Sequence, residues 1–340
     1  MRKIALLAVF ALIAFAYLLF WMPNTFDEDC FVIVSRGESF HQITDSLEVH
    51  GVLRSKALFS LAARILGRTN TIQIGKYRFR SGMSNVEILQ DLRSGSSVEW
   101  ITVIVPEGLR AQQQARIFRR NLGINSARFM TLVKDSVYVS SAGIHAASLE
   151  GYLFHSTYHF YWQAGESEII KTMLDHFWKF YNDSLRPLLN QNDLSLHEVL
   201  SLASIVEWET PIDTERPLIA GVYLNRLQKG MKLQADPTVQ YCLPGGRRRL
   251  YFSDLKIPSP YNTYLNFGLP PGPVNNPGKA SILAALTPAK HKYLYFVADG
   301  LGGHSFSTDY AIHKRKAKRY HDYKNQRQEN EGERTSKIFN

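Results

Sequence analysis

A glutamate on an otherwise apolar helical face is the residue of this sequence best suited to chemistry. Ser195 followed by Glu198 has the form of a capping box, so a helix begins there and runs over residues 195–210. Helical spacing puts Leu196, Leu200 and Ala203 on the stripe of Glu207, with Val199 close by. The same spacing turns Glu209 toward the face of Glu198. A carboxylate among aliphatic side chains is costly to ionise, so it keeps its proton closer to neutral pH, which is what a general acid needs. Glu207 is therefore the expected catalytic residue, with Glu209 as the alternative on the same helix. The competing reading is a buried glutamate held by an arginine in a structural ion pair.

The second concentration of polar groups lies in residues 231–277, rich in Pro, Gly, Asn and Tyr. Long loops inside a domain are usually functional. Gln234, Asp236, Thr238, Asn262 and Thr263 can hydrogen-bond hydroxyl and acetamido groups, and Tyr241, Tyr251, Tyr261 and Tyr264 can stack on sugar faces. The same residue types also make turns. His304 follows two glycines that allow close backbone approach to a ligand, although a turn-stabilising histidine fits equally well. His155 and His159 have metal-ligand spacing, but no third ligand accompanies them, so no metal is expected. The basic run 313–319 would suggest nucleic acid. It has no aromatic stacking platform, and a solvated helix face or loose attraction to anionic lipid or wall polymer is the preferred reading. Arg247, Arg248 and Arg249 are read the same way.

These groups need elements to position them. Residues 31–105 alternate short strands (31–34, 76–79, 100–105) with helices (from Ser39, 55–66, 85–92). Helices follow at 110–121, 167–188, 195–210, 217–228 and 280–286, then a buried strand at 293–298. Apolar residues make up 45% of the 340, which excludes wholesale disorder. Two cysteines cannot build a disulfide framework, and a net charge of +10 favours anionic surroundings. An unbroken apolar run at 4–22 is roughly 28 Å long as a helix, about one hydrocarbon core. Arg2 and Lys3 precede it and Asp27, Glu28 and Asp29 follow, which places the N-terminus in the cytoplasm and the rest outside. A cleaved signal peptide would have a shorter apolar core and small residues at its end, not Phe20-Trp21-Met22-Pro23. The expected fold class is α+β: a cytoplasmic tip (1–3), a transmembrane helix (4–22), a linker (23–30), a small α+β subdomain (31–105), a larger mixed α+β catalytic domain (106–320) and a polar tail (321–340), frayed over its last dozen residues.

Co-linear motifs then carry a specific resemblance. Leu149-Glu150-Gly151-Tyr152-Leu153-Phe154 resembles LEGYLFPDTY of the YceG-like family of endolytic murein transglycosylases. Ala203-Ser204-Ile205-Val206-Glu207 is similar to its ASIVEKE. Val222 to Leu227 with Gly230 to Val239 resembles V(F/Y)xNRLxxGMxLQSDPTV, and Tyr261 to Tyr264 with Gly268 to Pro273 matches YNTY and GLPPGPI. Tyr293 to Val297 and Gly302 to Ser307 complete the series, which covers residues 100–315. His155-Ser156 stands where the family has Pro-Asp, and Trp208 replaces a lysine.

The resemblance implies a LysM-like subdomain over residues 31–105. It also implies cleavage of the MurNAc–GlcNAc β-1,4 bond within peptidoglycan strands, without water, leaving 1,6-anhydroMurNAc ends and terminating nascent strands. Glu207 would protonate the leaving oxygen and then take the proton of the C6 hydroxyl as that hydroxyl attacks C1. No cofactor is needed. The substrate-binding set is expected to be Glu150, Asn225, Gln234, Asp236, Thr238, Tyr261, Asn262, Thr263 and His304, with Glu150 also a candidate second carboxylate. Implied partners are glycan strands and wall-synthesis enzymes such as penicillin-binding proteins, on the bacterial cytoplasmic membrane, with no nucleic acid. A hydrolase on the same scaffold, or a non-catalytic wall-binding protein, are the competing classes.

Overall fold

The computed structural model describes residues 2–245 and 247–338. Met1 of the expected tip, Gly246 of the arginine-rich loop, and Phe339 and Asn340 of the expected tail lie outside the described residues. The chain divides into two compact units: residues 1–104 with 116–126 and 157–169, and residues 105–115 with 127–156 and 170–340.

The first unit begins with helix α1 (Arg2–Phe20), the one described helix long and apolar enough to cross a membrane. Its side chains are exposed along most of its length, as with Ile4 at 74% and Leu7 at 69%, while Leu19 near its end is 2% exposed. That end is held by polar clasps. Asn85 Nδ2 donates to the Leu19 carbonyl at 2.8 Å, and Asn24 Nδ2 donates to the Met83 carbonyl at 3.0 Å and to Asn85 Oδ1 at 3.1 Å. Strand β1 (Cys30–Val34) pairs antiparallel with β2 (Gly75–Phe79), with Val32 opposite Tyr77. Helices α2 (Phe40–Val49), α3 (Lys56–Ile65) and α4 (Asn85–Ser94) pack with the pair. Ser39 and Ser84 start α2 and α4 through full capping boxes. The alternate residues Val32 and Val34 face a core with Ile43, Leu47, Phe59 and Ile88, while Phe31 and Ile33 face out. Strand β3 (Ile101–Val105) pairs with β4 (Ser156–Phe160). The unit division falls within α5 (Ala111–Leu122).

The second unit is mainly helical. Helices α6 (Ser126–Lys134) and α7 (Ser136–Ser141), absent from the sequence expectation, precede α8 (Glu166–Phe180). The expected helix over 167–188 is broken into α8, a π-helical turn (Tyr181–Leu185) and α9 (Arg186–Leu189), with Pro187 at the start of α9. Helix α10 (Leu196–Glu209) is central. Every residue from Val199 to Val206 is buried, and α10 packs on α11 (Arg216–Gln228) and α13 (Lys279–Leu286). Between these lies α12 (Asp236–Cys242), inside the stretch expected to be loop throughout. Strands β5 (Tyr295–Ala298) and β6 (His304–Ser307) form an antiparallel hairpin against α14 (Tyr310–Ile338). All four residues of β5 are only partly buried, which corrects the expected buried strand: a two-stranded ribbon has one face and no further strands to cover it. Helix α14 continues to Ile338, through residues dominated by good helix formers.

Candidate active site

The capping box at the head of α10 forms as expected: Glu198 N–H donates to Ser195 Oγ, and Glu198 Oε2 accepts from Ser195 N–H at 2.8 Å. The surroundings of the two glutamates at the other end differ from the expectation. At about 100° per residue, positions two apart face nearly opposite directions. Glu207 is turned to a polar cluster, not to an aliphatic surface. Its Oε2 accepts from Arg216 Nη1 at 2.8 Å and from the Gly278 N–H at 2.9 Å. The two side chains of this pair are 9% and 8% exposed, and Arg216 also donates to Ser281 Oγ and pairs with Asp213 at 3.1 Å. Glu107 packs against Gly278 so tightly that a Cβ there has no room. Its carboxyl is pushed up by burial and then by the charge of Glu207, and it lies 3.0 Å from His155 Nε2. Burial and Lys279 hold His155 down to about 4. The expected apolar setting of Glu207 is thus corrected to a buried ion pair.

Glu209 has the properties expected of its neighbour. It lines a cavity of about 950 Å³ that does not include Glu207. Burial pushes its carboxyl up to about 7, against the lowering effect of a hydrogen bond from Tyr223. Tyr223 on α11 is itself packed edge-on against Phe296 at 5.8 Å and donates its hydroxyl to Glu209 Oε1. Asp236, the first residue of α12, adds a repulsion that raises Glu209 further, and it accepts from Tyr264 Oη at 2.6 Å. Gln234, Asp236, Tyr264, Arg226, Tyr295 and Phe296 share the cavity wall.

The wall is held by residues that were expected to touch substrate. Thr263 accepts from the Ala235 N–H at 3.0 Å and bonds the Thr238 hydroxyl at 2.9 Å; both threonines are at most 1% exposed. The Thr263 carbonyl accepts from the Gln234 N–H, where the backbone is in the left-handed region at φ 52°. Asn262, fully buried, donates to the carbonyls of Leu255 and Ile257. Asn225 donates to the carbonyls of His291 and Tyr293, and Arg226 to those of Leu294 and Leu233 at 2.7 Å. Glu150 is 7% exposed and is pushed up to about 7 by burial; it accepts from the Ala111 N–H and from Asn276. His304 Nδ1 meets Glu215 Oε2 at 2.7 Å and stacks edge-on with Phe296. Tyr261 lies 4.6 Å from the Tyr241 ring, which carries Arg110 above it.

Glu150, Asn225, Thr238, Asn262, Thr263 and His304 each direct a polar group to a hydrogen bond within the protein, and none of them lines the cavity. Gln234 and Asp236 do line the cavity, and Tyr261 does not. Tyr223 and the α14 side chains His313, Lys314, Lys318 and His321 were not selected from the sequence. Tyr223 could have been found, since it lies in the same helical motif as Asn225 and Arg226. No group of His, Cys, Asp and Glu suited to a metal occurs among the described residues.

The model of the YceG-like family matches residues 32–319. An endolytic murein transglycosylase of Bacillus subtilis is 31% identical over 309 residues, covering 86% of this chain and 85% of that protein. One from Streptococcus pneumoniae is 29% identical over 299 residues, a match that spans 78% of this chain and 53% of that longer protein. The crystal structure of a YceG-like protein from Listeria monocytogenes superimposes with a TM-score of 0.61 at 31% identity, over 85% of this chain and 98% of that one. With Glu209, Tyr223 and Asp236 of the α10 cavity inside the matched range, this chain belongs to the YceG-like family.

Proposed function

We propose that this chain is an endolytic murein transglycosylase with Glu209, in place of Glu207, as its proton donor. The observation that carries this is a carboxyl pushed up to about 7 by burial, on the wall of a cavity large enough for sugar rings. Relatives named endolytic murein transglycosylase, similar over most of this chain, supply the substrate class. Protonated Glu209 donates to the glycosidic oxygen between MurNAc and GlcNAc as the C1–O bond breaks. The carboxylate so formed accepts the proton of the C6 hydroxyl as its oxygen bonds to C1, closing the 1,6-anhydro ring. The attacking hydroxyl is tethered to the reacting sugar, so proximity replaces an activated water. The charge developing at C1 is met by the Asp236 side chain on the cavity wall. Glu207 positions the end of α10 through Arg216 and Gly278.

The apolar α1 is read as a single membrane anchor with the N-terminus in the cytoplasm and both units outside. The strand, helix and strand order of the first unit is read as LysM-like and glycan-binding. In that setting the enzyme would release strands under synthesis by penicillin-binding proteins.

Digestion of purified glycan strands followed by mass analysis of the ends tests the reading. Wild type should leave anhydroMurNAc ends, and Glu209→Gln none. Asp236 gives a second reading a specific basis, because two carboxylates in one cavity also suit a hydrolase. Reducing MurNAc ends would establish that reading and overturn the first. Full activity in Glu209→Gln with none in Glu207→Gln would return the acid role to Glu207.

A further inference from the structure

The cavity lining holds charges of both signs. Its lining carries Glu209 and Asp236, with Arg226 beside them, and one stripe of α14. Lys314, Lys318 and His321 recur at helical spacing, so they share a face, and His313 stands beside them. The helix is anchored against the hairpin. The His313 ring stacks on Tyr295 at 5.3 Å, and Lys316 Nζ donates to the Phe306 carbonyl at 2.7 Å. Among the described residues neither Lys314 nor Lys318 makes an ion pair; Lys314 lies 5.2 Å over the Tyr310 ring. Both ammonium groups are exposed at the cavity, while Arg315 and Arg319 of the same basic run are not part of its lining.

A neutral sugar ring offers these two lysines no countercharge. In peptidoglycan the lactyl group of each muramic ring carries a peptide stem, and the stem bears free carboxylates. A ring seated at Glu209 with its lactyl group turned toward α14 would bring those carboxylates to the lysines. We propose that Lys314 and Lys318 form a stem-carboxylate subsite, so that this chain selects glycan carrying peptide stems over glycan stripped of them. The proposal rests on the reading of the Glu209 cavity given above. A lipid headgroup has the same charge, but the two lysines face a concavity shared with an acid, which a flat bilayer cannot enter.

The test uses the full chain in detergent and uncrosslinked glycan strands, intact or stripped of stems by an amidase. Binding is measured with Glu209→Gln and cleavage with Glu209 in place. Intact strands should bind more tightly than stripped ones. Lys314→Ala/Lys318→Ala should weaken binding of intact strands, and raise KM for them, by about tenfold, the sum of two exposed charge contacts. Stripped strands should be affected less than twofold. Arg315→Ala/Arg319→Ala removes the same net charge outside the cavity and should leave the discrimination intact. Equal binding of the two glycans, or equal weakening by both double variants, overturns the proposal. So does a loss of binding to anionic vesicles in Lys314→Ala/Lys318→Ala with glycan discrimination unchanged. If wild type leaves no anhydro ends on either glycan, the transglycosylase reading fails, while the binding contrast still decides the subsite.

Discussion

Glu207 and Glu209 show how little a sequence stripe says when a helix is apolar on every side. Helix α10 is buried all round from Val199 to Val206, so either glutamate can be drawn on an apolar face. What separates them comes from distant parts of the chain: Arg216 and the Gly278 N–H reach one, Tyr223 and the cavity reach the other. That the end of this helix offers a candidate acid was legible in the sequence; which of its two carboxyls lines the cavity was not. Glu209→Gln should lower turnover by about 10²–10⁴-fold, the usual worth of a general acid. Glu207→Ala should retain measurable turnover but lose about 3 kcal/mol of stability, because it strands a buried guanidinium. Thermal unfolding and turnover measured on both variants check the contrast. The pH dependence follows from the same carboxyl. Its folded value of about 7 lies above the ordinary 4.5, so the folded state holds this proton more tightly than the unfolded one. Its stabilising contribution is complete below about 4.5 and is lost as pH rises through about 7. Activity should decline over the upper part of that window as the donor ionises. The stability loss should be smaller in Glu209→Gln, which denaturant melts at several pH values would detect.

At the scale of elements, the strap between Gln234–Asp236 and Tyr261–Tyr264 does the positioning. Thr238 and Thr263 are buried and bonded to each other and to backbone, so they fix where Asp236 and Tyr264 stand. Thr263→Val keeps the shape and removes the hydroxyl. It should cost about 1–3 kcal/mol through an unsatisfied Ala235 N–H, and lower kcat/KM by moving Asp236, with no new charge introduced. Ser195→Ala should cost about 1 kcal/mol and leave the pH profile of activity where it was, because the cap is at the far end of α10. The capping boxes at Ser39, Ser84 and Ser195 were readable because they are local, as were β1, β2 and the helices between them. The polar loop was readable as functional but not in detail. Asn, Thr and Asp serve a ligand or a backbone carbonyl with the same atoms, and only the fold says which. The carbonyl partners of Asn225 and Asn262 could not be read from the sequence for that reason. Helix α12 and the α6–α7 pair were missed because short helices carry too few turns for a periodic signal.

At the scale of the whole molecule, the end of α1 belongs to the core of the first unit. Leu19 is 2% exposed among residues of that core, and Asn85 closes on its carbonyl. Leu19→Ala should cost about 2–5 kcal/mol and lower the unfolding temperature of the first unit, although it lies inside the apolar helix and far from Glu209 in sequence. A truncation that keeps Leu19 should fold; one that begins at Pro23 should show the same loss. Were α1 to span a bilayer, as proposed above, this junction would act as a rigid post in place of a leash. The first unit could then not drift outward, and its reach would be confined to material lying a set height above the lipid.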